Sequence, residues 1–224
     1  MTTVAIPPAR IGVGADGLPL HIAVDEFSGT DLCIVAGGPG SGTTNMLMLL
    51  GSAWSAHLNV VIVGAGIYRA PFERLAPRQL PEFLAHRRQG RRTAHDGPAD
   101  TVLLLDHFLP AQLEVGPPEP SLPLDFGYKP VSLDELDSFD PALLDDAGLH
   151  VVMRWPRSER SWMQTTEAWN TTAAVVIGLA TPGPAGIDET DGRDIGDDDT
   201  LPGSFLDRRD GRRPRAFTPG TYRC

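Results

Sequence analysis

Residues Gly37-Gly38-Pro39-Gly40-Ser41-Gly42-Thr43-Thr44 match the phosphate-loop pattern G-x-x-x-x-G-K-[ST] at Gly37, Gly42 and Thr44, with Thr43 at the lysine position. In such a loop, backbone N–H groups and a helix N-terminus surround a phosphate, the lysine reaches the outer phosphates, and the last hydroxyl meets Mg²⁺. The candidate phosphate ligands are therefore Gly37, Gly38, Gly40, Ser41, Gly42, Thr43, Thr44 and Asn45. Downstream, Thr101-Val102-Leu103-Leu104-Leu105-Asp106 sets four consecutive apolar residues before an acid, the form of a Walker B strand. An aspartate so placed holds Mg²⁺ beside the nucleotide, usually through water. Thr44 and Asp106 are thus the candidate metal ligands, with ATP as the expected nucleotide. His107 stands where a second carboxylate usually orients the attacking water.

Two charges expected of an active site are missing. Removing one electrostatic contact to a transition state typically costs roughly 3–4 kcal/mol, about 10²–10³ in rate. His107 cannot replace an anionic base. Backbone N–H groups and the helix dipole survive both changes, because they belong to the loop's conformation. The expectation is a site that binds a nucleotide weakly and hydrolyses it poorly or not at all. The plainer alternative is that the glycines only make a tight turn from strand to helix. Lys129 is the sole lysine of the chain, so a general bias towards arginine also accounts for Thr43.

The elements that must position these residues are legible as apolar runs. Asp31–Ala36 reads as a buried strand before the loop, and Asn45–Leu50 as the start of an apolar helix after it. Arg10–Val13 and Leu18–Val24 flank Asp16-Gly17 and predict a hairpin. Further strands are predicted at Asn59–Val63, Thr101–Asp106, Leu149–Met153 and Ala173–Leu179. Helices are predicted at Leu80–Arg88, Ser132–Asp137 (opened by a capping box of Ser132 and Glu135), Pro141–Asp145 and Ser158–Ala168. Ser204–Arg208 and Arg215–Phe217 predict a closing hairpin. Residues 181–200 hold little to bury and are expected to form a mobile acidic loop. Alternating strands and helices argue for an α/β fold with a mainly parallel sheet.

Two other features compete for a function. Val60–Gly66 begins like a dinucleotide fingerprint, but Arg69 stands where a small residue must pack a helix on its strand, which argues against NAD or FAD. Arg154 and Arg157 follow the fourth predicted core strand, at the edge where such a sheet exposes ligand contacts. Contact with a phosphate or a neighbouring subunit is open to them. A solvated pair is the simpler description.

Composition narrows the class. The chain has 224 residues, 41% hydrophobic and 21% charged, as expected of one globular domain over 1–224. It has no apolar run of about 18 residues and no leader-like N-terminus, so neither a membrane span nor a signal peptide is predicted. Cys33, in a predicted buried strand, and Cys224, the last residue, predict no disulfide and a reducing compartment. The net charge of −10 disfavours nonspecific attraction to nucleic acid.

Four stretches, in order, resemble the motor domain of the FtsK/SpoIIIE family of P-loop ATPases. They are Ile11–Leu20, Cys33–Thr44, Leu143–Val152 with Gly148-Leu149-His150-Val151-Val152, and Leu201–Tyr222 with Gly211–Phe217. The resemblance implies a RecA-like P-loop NTPase fold, with helices flanking the sheet and β-hairpins at both ends. It implies ring-forming translocases that move double-stranded DNA, or, in the EccC proteins of type VII secretion, act on protein substrates. The chain departs from the pattern at Thr43, at His107 and at Arg154-Trp155-Pro156-Arg157, all catalytic positions. It is therefore more similar to the later, degenerate domains of EccC chains. The expectation drawn is a cytoplasmic nucleotide-binding module, open to recruitment by a membrane complex. Its partners would be a protein, sister ATPase domains or further copies of itself. The alternative is an active ATPase ring translocating DNA.

Overall fold

The strands along the middle of this chain are apolar on both faces, and a strand of that kind is stable only inside a sheet covered on both sides. The computed structural model describes residues 6–29, 31–37, 41–64, 72–93, 100–106, 108–109, 131–132, 144, 146, 148–155, 172–179, 203–207 and 215–221. The strands are β1 (Ala9–Gly14), β2 (Pro19–Ile22), β3 (Asp31–Gly37), β4 (Asn59–Val63), β5 (Glu73–Leu75) and β6 (Thr101–Leu105). They continue with β7 (Phe108–Leu109), β8 (Val131–Ser132), β9 (Leu149–Trp155), β10 (Thr172–Leu179), β11 (Gly203–Asp207) and β12 (Arg215–Pro219). Two α-helices are described, α1 (Thr43–Trp54) and α2 (Leu80–Thr93).

Ten strands form one sheet in the order β2-β1-β12-β11-β10-β3-β9-β6-β4-β5. From β10 to β5 every pairing is parallel; β11, β12, β1 and β2 extend the sheet antiparallel. The expected α/β fold with its mainly parallel sheet is therefore present, as are the hairpin near the N-terminus and the β11–β12 pair. Side chains alternate between two cores. Cys33 and Val35 of β3 join Val102 and Leu104 of β6 on the face covered by Met46, Leu47, Leu50 and Trp54 of α1. Leu32 and Ile34 join Leu103 and Leu105 on the opposite face, with Leu80 and Leu84 of α2. The last two are one helical turn apart, as a helix laid on a sheet requires.

Several predicted boundaries move for local reasons. The strand expected over Leu18–Val24 is Pro19–Ile22, because Glu26 accepts a hydrogen bond from the Ala23 N–H at 3.1 Å and turns Val24–Glu26 into a 3-10 helix. Helix α2 runs past Arg88 to Thr93. Its end carries no proline, so nothing covalent stops it there. The edge strand Glu73–Leu75 was not anticipated: three residues with two charges show no period. Val131–Ser132 pairs with Phe108–Leu109 as a separate two-stranded ribbon, so Ser132 ends a strand. Ser158–Ala168, the acidic segment 181–200 and most of Ser132–Asp145 lie outside the described residues.

At the N-terminal ends of the core strands, buried Arg87 ties α2 to the sheet. Its Nε donates to Asp146 Oδ2 at 2.9 Å, Nη1 to Thr101 Oγ1 at 2.6 Å and Nη2 to the Gly148 carbonyl at 2.6 Å. His150 of β9 stands edge-on to Phe27, with ring centroids 6.0 Å apart, and its Nδ1 lies 2.7 Å from the Phe27 carbonyl.

Candidate phosphate-binding site

The sheet order decides which residues can meet. Strand β9 lies between β3 and β6, with Val35 opposite Arg154 on one side and Leu105 opposite Met153 on the other. The C-terminal edge therefore presents three groups side by side: the glycine segment that follows β3, Asp106 after β6, and Arg154 near the end of β9.

The segment after β3 is tightly built. A side chain at Gly37 would collide with Ser41 Oγ, and would come within 2.9 Å of both the Leu179 carbonyl and Thr43 Cγ2. Gly42 has φ +89°, a left-handed conformation in which an L side chain is strained, and it caps α1. The first helical hydrogen bond runs from the Met46 N–H to the Gly42 carbonyl at 2.9 Å. The N–H groups of Thr43, Thr44 and Asn45 thus precede the helix ladder at its positive end. Ser41 Oγ is buried and has no hydrogen-bond partner among the described residues. A buried hydroxyl in that condition costs free energy unless something arrives to bond it. Gly38 and Gly40 lie outside the described residues.

Thr43, at the lysine position, is buried, with its methyl beside Gly37. Asn45 places its side-chain Nδ2 3.4 Å from the Gly220 carbonyl. What it can offer a phosphate is its backbone.

Thr44 and Asp106, predicted to share a metal, do meet. Thr44 Oγ1 donates to Asp106 Oδ2 at 3.1 Å, and Asp106 is fully buried, its own N–H bonded to the Val63 carbonyl at 2.9 Å. A third group joins them. Arg154 Nη1 lies 3.2 Å from Asp106 Oδ1 and 3.3 Å from Thr44 Oγ1, and the arginine side chain is only 11% exposed. The expected solvated arginine is instead a partly buried partner of the carboxylate. Its strand, inserted between β3 and β6, brings the arginine to the sheet edge where Thr44 and Asp106 lie. His107 and Arg157 lie outside the described residues.

This set does not fit Mg²⁺. The ion needs oxygen ligands at about 2.0–2.1 Å in near-octahedral array. The guanidinium nitrogen already sits within hydrogen-bond reach of both oxygens the metal would use. At an effective dielectric of about 20, repulsion of a divalent ion by that guanidinium about 4 Å away, about 8 kcal/mol, offsets a similar attraction to Asp106, so the paired carboxylate offers the ion little net charge. A guanidinium from β9, paired with Asp106, thus stands beside the first turn of α1.

No protein-family model matches the chain, and no curated protein does. Solved structures do. ATPases 2 and 3 of Thermomonospora curvata EccC, determined in complex with a signal sequence peptide, superpose with a TM-score of 0.53 at 16% identity, covering 98% of this chain and 41% of that one. The cytoplasmic domain of EssC gives a TM-score of 0.53 at 14% identity, covering 98% of this chain and 44% of that one. The fold is that of a type VII secretion ATPase domain. This chain spans less than half the length of those EccC and EssC chains. A further structure, described simply as an ATPase, matches with a TM-score of 0.54 at 15% identity over 100% of this chain and 90% of its own. The EccC-like fold agrees with the resemblance carried by Cys33–Thr44 and Leu143–Val152.

Proposed function

We infer that this chain is a nucleotide-binding module with little or no hydrolytic capacity, serving a secretion-type translocation assembly through contacts with a protein partner or sister ATPase domains. The observation that carries the reading is the segment from Gly37 to Asn45. A left-handed Gly42 opens α1, Gly37 has no room for a side chain, and the buried Ser41 hydroxyl is unbonded. Together they suit the binding of a phosphate at the start of α1. Gly37, Gly38, Gly40, Ser41, Gly42, Thr43, Thr44 and Asn45 would line it, largely through backbone N–H groups. ATP, when bound, would present its phosphates to those donors, and the chain's own residues would orient it without activating water.

Poor hydrolysis follows from Thr43, a small buried residue where a lysine would reach the phosphates, and from His107 in place of a carboxylate. The likeness to EccC domains supports the secretion-type setting, one domain over 1–224 and a cytoplasmic site of action beside a membrane complex. No helix among the described residues is long and apolar enough to cross a membrane. Nothing in the site favours the alternative of a DNA-translocating ring, and the charge of −10 opposes it.

Calorimetric titration tests the reading. ATP should bind with a Kd between about 1 mM and 1 μM, equivalent to roughly −4 to −8 kcal/mol. Gly37→Ala should abolish that heat while the circular dichroism of the fold persists. Absence of any heat with the unaltered chain at millimolar ATP would end the proposal.

A further inference from the structure

Arg154 Nη1 lies within hydrogen-bond distance of Thr44 Oγ1 and of Asp106 Oδ1, near the end of a strand held between β3 and β6. Resting on the reading of Gly37–Asn45 as a nucleotide site, we propose that Arg154 is its resident cation and that the chain binds nucleoside polyphosphates without a divalent metal.

Three observations converge. The Arg154 guanidinium donates to Asp106 Oδ1 at 3.2 Å and to Thr44 Oγ1 at 3.3 Å, so it spans the Walker-type acid and the loop hydroxyl. Asp106 is fully buried, and a buried carboxylate needs a cation held close to it. Thr43 supplies no charge at the lysine position. Arginine suits the task because it stays protonated at every physiological pH. Its planar fork can bond a carboxylate along one edge and a phosphate along another. Mg²⁺ would have to expel that fork from between Thr44 and Asp106 before it could take its ligands. The ligand class is therefore the metal-free polyanion, its charge met by one guanidinium and the α1 N-terminus. Arg154 acts as a binding residue, with no part in bond cleavage.

The experiment is an ATP titration of the full chain in excess Mg²⁺ and in excess EDTA, read by calorimetry, with Arg154→Gln and Arg154→Lys alongside. The unaltered chain should bind more tightly in EDTA than in excess Mg²⁺, because Mg²⁺ complexes the ATP in solution and leaves little of the metal-free polyanion. Arg154→Gln should lose at least tenfold in EDTA and recover part of that loss in Mg²⁺, since the metal can then reach Thr44 and Asp106. Arg154→Lys should retain more of the EDTA affinity than Arg154→Gln. Binding by the unaltered chain that weakens tenfold or more in EDTA would overturn the inference while leaving the nucleotide site standing. An Arg154→Gln chain that binds as tightly as the parent in EDTA would do the same. No binding in either buffer would remove both. The comparison of buffers on the unaltered chain needs no variant, so a failure of Arg154→Gln to fold does not rescue the idea.

Discussion

Among single residues, Cys33 has the simplest consequence. It is a free thiol, fully buried in β3. Burial first, and the negative charge of Glu26 second, push its thiol pKa far above the ordinary range. A group whose folded pKa is raised contributes stability that is intact below its unfolded pKa and is lost as pH climbs towards the folded value. The unfolded thiol titrates near ~8.5, so the loss should begin there at about 1.4 kcal/mol per pH unit. Urea midpoints at pH 7.5 and pH 10 should therefore fall further for the parent than for Cys33→Ala. Equal slopes for the two would refute the assignment. The same residue should resist alkylation in the native state. Residue types alone singled out Thr44 and Asp106, which lie within hydrogen-bond distance of each other, because the phosphate-loop and acid-ended-strand patterns have fixed local spacing. They did not identify Arg154 as a partner of Asp106. An arginine closing an apolar run looks the same whether it faces water or a carboxylate.

At the level of elements, what was legible was whatever the chain decides within a few residues. The β1–β2 hairpin turns at Asp16-Gly17, where Gly17 has φ +76° and Asp16 Oδ1 accepts the Leu18 N–H at 3.0 Å. Strand β4 runs over Asn59–Val63 as its unbroken apolar pattern requires. Pairing order is a different matter. That β9 enters between β3 and β6 follows from the whole set of crossovers, and no local signal in Leu149–Trp155 states it. Helix α1 depends on its cap more than on its sequence preference, since Gly42 must hold φ +89° for the amides to face the loop. Gly42→Ala should cost about 1–2 kcal/mol, and Gly42→Asn clearly less, because Asn tolerates that region. Chemical denaturation of the two variants checks the ranking. An alanine as stable as glycine would mean that the cap relaxes.

For the whole molecule, two arginines hold the same pair of strands at opposite ends. Arg87 clasps Thr101 and Gly148 at the start of β6 and β9, while Arg154 meets Asp106 at the far edge. The five residues of β6 between them span roughly 16 Å, well beyond the range of direct coupling. Arg87→Lys removes part of a three-armed contact, and each lost bond to a charged group costs roughly 1.5–3 kcal/mol. It should lower stability without altering ATP affinity, whereas Arg154→Lys should alter both. The double variant should be additive within about 0.5 kcal/mol. A larger coupling in urea titrations would show the sheet transmitting strain from end to end. The order of the central strands also bears on how the chain is made. Leu32 pairs with Val151, and Asp31 with Thr172, so β3 has no neighbour on either side until most of the chain has left the ribosome. Its apolar run must wait unpaired through that interval, and such distant pairings form slowly. A nucleotide bound as proposed would stabilise the finished domain without templating the early steps of its folding.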